Sequence, residues 1–481
     1  MTACLSAKEL GGKRYAVFMS GLLMLFSGFI IFGAMFTYDS LDFLIQVLAI
    51  YILVRIINSG NRKLWILFGL VTGLGLLNKM SILLFGLAVF TALWLVPLRR
   101  EYRKGWIWAG GSIALAFSLP FLIWQARNGW YYLDFALNYS GGYAYAASFP
   151  EFIWSQILPN NIFTFPFWLG GLLLLLFSSD WKRHRFFGFM YIISFLLAFL
   201  LGVKFYFLIP AYSVLLAAGS VGLERFLDRN GYARMKSRFI KTAVPAVFVI
   251  LSLLLIPLMV PVLPVDMLEE YVSLLGVHAG VRHENTELGR LPQHMADRFG
   301  WEELVEKVAS VYHNAISEPG EAAGIITGNY GQAGAIHLLG RKYSLPEPIS
   351  PHGWFYYEAL RSHRFRNNYV AIGMNRSSLE NIFSEVVQWE EFSHPYVMPY
   401  ENNNPIYICR GPIYNLRDYW RVSRDMDPEF TRILESEGVD EAASYYHDYI
   451  AGNPASLLFT ERQLNALGYQ YLYQERIEEA I

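Results

Sequence analysis

Thr37-Tyr38-Asp39-Ser40-Leu41-Asp42 sets two carboxylates about one helical turn apart, between the apolar runs Tyr15 to Phe36 and Phe43 to Ile57. A carboxylate left in hydrocarbon costs roughly 2.5 kcal/mol or more, so ionisable residues inside or at the end of a membrane span mark a functional site by default. Asp39 and Asp42 are therefore read as the centre of a site, and the rest of the chain is read for what they face.

Runs of the same apolar kind continue outward on both sides. A span needs about 20 mostly apolar residues. About nine candidates are visible: 15–36, 43–57, 64–77, 82–98, 106–124, 163–177, 186–201, 205–221 and 243–262. The chain is 54% hydrophobic and only 16% charged, against about 25% charged in ordinary soluble domains. The composition changes near Pro264, beyond which the pattern is that of a soluble protein. The predicted organisation is a multi-pass α-helical membrane domain over residues 1–264, an extracytoplasmic α/β domain over 265–426, and a helical tail over 427–481.

Charge bias orients the spans. The N-terminal segment and the loops 55–63, 98–104, 180–185 and 224–241 together carry about nineteen Lys and Arg, whereas the other connections carry Lys79, Arg127 and Lys204. The positive-inside rule then predicts a cytoplasmic N-terminus and puts Asp39 and Asp42 on the outer face. Lys79 and Lys204 lie on that face too. Two acids and two lysines together suit a phosphate site, because a lysine neutralises phosphate as a mobile point charge. The outer connection 125–162 adds Asn128, Trp130 and Tyr139, whose rings and amides suit a sugar or lipid platform as well as an interfacial aromatic belt.

A net charge of −1 gives no basic footprint for nucleic acid. Cys4 and Cys409 lie far apart, so no disulfide framework is expected. The histidines of the second half lack metal-ligand spacing.

Taken in order, several motifs resemble a known family. These are Glu9-Leu10-Gly11-Gly12, Phe36-Thr37-Tyr38-Asp39-Ser40-Leu41, Tyr51-Ile52-Leu53-Val54-Arg55, Gly73-Leu74-Gly75-Leu76-Leu77-Asn78-Lys79, Leu122-Ile123-Trp124 with Asn128-Gly129-Trp130, and Lys204-Phe205-Tyr206-Phe207-Leu208-Ile209-Pro210-Ala211-Tyr212. Together they look like glycosyltransferase family 39, the GT-C-fold family of protein O-mannosyltransferases and the aminoarabinose transferase of lipid A. The resemblance covers residues 5–264. It implies transfer of a sugar from a polyprenyl-phosphate donor, taken from the membrane lipid, to a glycan, lipid or protein acceptor on the extracytoplasmic face. The same resemblance, which also implies a plasma (inner) membrane, makes Asp39 a catalytic candidate and Lys79, Lys204 and Tyr206 substrate-binding ones. The residues themselves add Asp42, where many relatives are apolar, to the catalytic candidates, and Asn128, Trp130 and Tyr139 of the outer connection to the substrate-binding ones. A divalent metal is the one cofactor these acids would recruit. Members of the family carry a further span and a first outer loop with an Asp/Glu pair ahead of this position. The resemblance thus leads one to expect a start further upstream, or a product without the usual catalytic base. A non-catalytic membrane receptor or scaffold is the alternative reading, and a transporter or flippase a more distant one.

In the second half, 300–313 reads as a helix, 322–327, 368–373 and 405–410 as strands, and 377–389 as a helix, giving a partly parallel sheet. Gly328 to Gly334 forms a strand-to-helix junction that could hold an anion. Leu467-Gly468-Tyr469 with Glu479-Ala480-Ile481 resembles a single tetratricopeptide unit, too little to bury its own face.

Overall fold

The computed structural model describes residues 1–133, 148–229, 234–276, 289–315, 323–362, 364–422, 428–452, 466–468, 470–471, 474 and 476. Contacts divide the chain into two compact units, Met1–Leu288 and Gly289–Ile481.

The first unit is helical. Its opening elements are α1 (Thr2–Glu9), α2 (Arg14–Leu25), α3 (Phe29–Gly33), α4 (Tyr38–Ser59), α5 (Leu64–Asn78), α6 (Ser81–Leu95) and α7 (Gly105–Arg127). Further helices run Phe149–Ile157, Phe165–Phe177, Arg185–Leu200, Tyr212–Arg229 and Arg234–Leu253. Among the described residues four stretches are long and apolar enough to cross a membrane: Tyr38–Ser59, Gly105–Arg127, Ser179–Leu200 and Phe205–Arg229. The number rises to six if two bent pairs, Ser81–Leu95 with Pro97–Arg103 and Phe149–Ile157 with Ile162–Phe177, each count as one span. Nine apolar runs therefore form helices without all being straight, full-length spans. The run from Tyr15 to Phe36 breaks into α2 and α3 around Ser27, because neighbouring side chains take over the backbone bonds that a continuous helix would make.

The centre of this unit is α4 with the segment Phe205–Arg229, both mostly buried. Helix α7 lies at the edge, with Trp108, Leu115, Leu119 and Ile123 exposed, as lipid-facing residues would be. It packs on α5 backbone to backbone. A Cβ on Gly69 would lie 2.1 Å from the carbonyl oxygen of Gly110, and one on Gly110 would lie 2.2 Å from that of Trp65. Small residues permit such close helix contacts where no hydrophobic effect drives association.

The basic segments meet at one end of the bundle. Glu224, 3% exposed, accepts from the backbone N–H groups of Lys13 (2.7 Å) and Ala16 (3.2 Å) and so caps α2. Its charge is matched to the positive end of the helix dipole. Arg55 pairs with Glu9 at 3.3 Å, Arg62 with Glu101 at 3.3 Å and Arg229 with Asp180 at 3.1 Å. The segments grouped by charge bias thus share one pole. The first fourteen residues, however, are not a tail outside the bundle. Helix α1 folds back along α2, where Ser20 Oγ donates to the carbonyl of Ala3 at 3.2 Å, and Met1 ends up beside Phe29, Phe32 and Ser40. Alanines at positions 3, 7 and 16, all buried, allow that approach.

In the second unit a four-stranded sheet has the order β1-β2-β4-β3. Its strands are β1 (Ala323–Thr327), β2 (Asn368–Ile372), β3 (Phe383–Phe392) and β4 (Asn404–Pro412). β1 and β2 are parallel, and the other pairs are antiparallel. Helix Trp301–Ala315 covers one face through Leu304, Val305, Val308 and Val311. The stretch 377–389, expected as a helix, is instead a five-residue helix Arg376–Glu380 followed by β3. Phe383, Val386 and Phe392 are buried along β3, and pairing with β4 outweighs a weak helical pattern. Residues 265–274 form a helix on the first unit, where the Tyr271 hydroxyl donates to the carbonyl of Leu254 at 2.6 Å. The tail has helices Pro428–Ser436 and Val439–Gly452; Tyr469, Glu479, Ala480 and Ile481 of the expected repeat lie outside the described residues.

Candidate functional site

Helix α4 begins, α5 ends and α6 begins at the pole opposite the basic segments. Asp39 lies in the first turn of α4, and Lys79 is the residue that ends α5. Each charge suits the dipole of its own helix terminus. The two form an ion pair. A lysine at the end of a span ordinarily extends its ammonium to the headgroups, but Lys79 turns inward. Its side chain is only 15% exposed, and its Nζ lies 4.9 Å from the ring centre of Tyr38, 5.2 Å from that of Tyr206 and 4.5 Å from that of Phe207. Ring faces attract a cation at this range. Asn78 fixes the turn by donating its side-chain amide to the Tyr38 carbonyl at 2.8 Å.

One turn deeper in α4 is Asp42, 1% exposed. Its Oδ2 accepts from Ser81 Oγ and Gln46 Nε2, both at 2.8 Å, while its Oδ1 is buried without a hydrogen-bond partner. Gln46 and Ser81 also border a small cleft whose other walls include Phe207, Ser194 and Leu208. Phe207 therefore faces both the caged ammonium and the cleft.

The structure brings Asp39, Lys79 and Tyr206 into contact and sets Asp42 directly behind them. Lys204 is half-buried and opens the turn Phe205–Ala211 that carries Tyr206 and Phe207; its carbonyl accepts from the Phe207 N–H at 3.2 Å. Asn128 and Trp130 follow the end of α7 and make local bonds, Asn128 Nδ2 to the Trp124 carbonyl and the Trp130 N–H to the Gln125 carbonyl. Tyr139 lies outside the described residues. Ser81 and Gln46 were not picked out in the sequence, and Tyr38 and Phe207 stood in its motifs without a site role. Ser81 had one available signal, a hydroxyl two residues beyond Lys79 at a helix start.

Among the described residues no group of three or more His, Cys, Asp or Glu could hold a metal ion. Asp39 is paired with Lys79 and Oδ2 of Asp42 accepts from two neutral donors, and no step is assigned to a metal.

In the second unit, the Gly328–Gly334 junction lies at the carboxyl end of β1. Asn329 caps the following helix by accepting from the Gln332 N–H at 3.0 Å. The side-chain amides of Asn329 and Gln332 donate to the two oxygens of Glu401, at 2.7 and 2.8 Å. The anion held there is the chain's own carboxylate. Burial pushes the Glu401 carboxyl above its ordinary value of 4.5, against the lowering effect of those two amides.

Residues 3–124 match the family model for dolichyl-phosphate-mannose-protein mannosyltransferases. The match supports a glycosyltransferase-like family of the GT-C type, and it takes in Asp39, Asp42 and Lys79. No curated protein and no solved structure gives a significant match.

Proposed function

We propose that the protein transfers a sugar from a polyprenyl-phosphate donor to an acceptor hydroxyl, at the membrane face opposite the basic segments. The observation that carries this reading is the caged ion pair of Lys79 with Asp39. A low-dielectric enclosure strengthens any charge interaction made there, and a phosphate is the donor group that an ammonium would hold. On this reading the donor phosphate displaces Asp39 from Lys79. The bond between the anomeric carbon and the phosphate oxygen breaks as the acceptor oxygen attacks that carbon. Polyprenyl phosphate leaves with its negative charge neutralised by Lys79, and Lys204, at the start of the same aromatic turn, contributes a second positive charge. Released from its lysine, Asp39 accepts the proton from the acceptor hydroxyl.

Asp42 supports this arrangement from behind. Its bond to Ser81 ties α4 to α6, its bond to Gln46 holds the carboxylate within α4, and the tie between the helices fixes the positions from which Asp39 and Lys79 emerge. The transfer is tested with membranes containing the full chain and a radiolabelled polyprenyl-phosphate sugar. Asp39→Asn and Lys204→Ala should each lower transfer to near background, while His337→Ala in the second unit leaves it largely unchanged. Undiminished transfer by Asp39→Asn would overturn the assignment.

A further inference from the structure

The bend between helices Phe149–Ile157 and Phe165–Phe177 carries Asn160 and Asn161, 2% and 1% exposed. Asn161 sits in the left-handed region, with φ 64°, which asparagine tolerates better than most residues. Its Nδ2 donates to the carbonyl of Phe26 at 2.8 Å and to Ser252 Oγ at 2.9 Å, while Asn160 Oδ1 accepts from the Gly28 N–H at 3.0 Å. These backbone groups are the ones freed by the break between α2 and α3. In hydrocarbon such groups need internal partners, and the two asparagines supply them while joining the break to helix Arg234–Leu253 through Ser252.

The break leads directly to the lysine cage. Helix α3 presents Phe32, whose carbonyl accepts from Ser40 Oγ at 2.6 Å and whose ring lies 4.5 Å from that of Phe43 and 5.4 Å from that of Tyr206. Ser40 is beside Asp39 in the first turn of α4, and Tyr206 is one wall around Lys79. We propose that Asn160 and Asn161 are positioning residues: they clamp the α2–α3 break so that α3 holds both the start of α4 and the Tyr206 wall closed around Lys79. The clamp stands on these contacts alone, whereas its effect on sugar transfer rests on the function proposed above.

The test uses the full chain in lipid nanodiscs. The rate at which a water-soluble acylating reagent modifies Lys79 is followed by peptide mass spectrometry, with exposed Lys63, at the opposite pole, as internal standard. Asn161→Ala should raise the Lys79 rate relative to Lys63 by about threefold or more, a coupling of ordinary size between connected sites. Ser252→Ala removes one of the clamp's bonds and should give a smaller rise in the same direction, which keeps the test available if Asn161→Ala fails to fold. A Lys79-to-Lys63 ratio unchanged in the folded variants, or a parallel rise of both rates, would overturn the clamp. In transfer assays the same variants should raise the donor KM more than they lower kcat. Faster Lys79 labelling with no effect on transfer would uphold the clamp and count against the proposed function instead.

Discussion

Ser81 donates its hydroxyl hydrogen to Oδ2 of Asp42 at 2.8 Å, linking the start of α6 to the first turns of α4. Removing one donor from a buried carboxylate costs about 1–3 kcal/mol. Ser81→Ala should therefore destabilise the first unit by that amount, measured by denaturation in detergent, while Ser81→Thr, which keeps the hydroxyl, stays close to wild type. Equal stability of Ser81→Ala and wild type would mean that the bond adds nothing.

The α5–α7 contact makes a second prediction. A Cβ on Gly110 would lie 2.2 Å from the Trp65 carbonyl, whereas Gly111 has open space around it. Gly110→Leu should force the helices apart at a cost of about 1–3 kcal/mol or more. Gly111→Leu should be close to neutral. The two variants are adjacent and chemically identical, so comparing their thermal transitions isolates the packing effect.

Glu401 gives the second unit a defined pH response. Its carboxyl titrates above the ordinary 4.5 in the folded state because it is buried, so the folded form takes up a proton before the unfolded form does. Its contribution therefore becomes more favourable as pH falls through the raised folded value and levels off below the ordinary one. Hydrogen exchange of β1 and β4 amides should show this rise on acidification, and Glu401→Gln should lack it. A wild-type response identical to that of Glu401→Gln would contradict the assignment.

Cys409 is fully buried on β4, and burial pushes its thiol up to about 12. Thiolate is the reactive form. A maleimide should leave Cys409 unmodified in the native protein and label it only after unfolding, as read by intact mass.

Much of this was legible in the sequence. Asp39 and Lys79 stood out because charge is rare and costly beside apolar runs. The basic pole was legible for the same reason, since the nineteen or so cations cluster in five segments. The partners of Asp42 were not, because Ser81 and Gln46 are ordinary polar residues whose role depends on how α4 and α6 pack. The break at Ser27 was largely hidden as well. The Ser27-Gly28 pair is a weak local hint, and the side chains that take up the freed backbone groups lie more than 130 residues away in Asn160 and Asn161. Strand β3 was misread because Ser377 to Trp389 has no strict alternation, and its state is decided by pairing with β4. The fold of the second unit was otherwise readable from β-branched runs, but the occupant of its glycine-rich junction, Glu401, was not.

The central claim is that the caged Lys79 holds the donor phosphate, and the affinity of the purified full chain for polyprenyl phosphate tests it most directly. A charge-assisted contact of this kind is worth about 1.5–3 kcal/mol. Wild type should bind polyprenyl phosphate in preference to the uncharged polyprenol, and Lys79→Ala should weaken phosphate binding by about tenfold or more. Equal affinity of wild type and Lys79→Ala for polyprenyl phosphate would contradict the account.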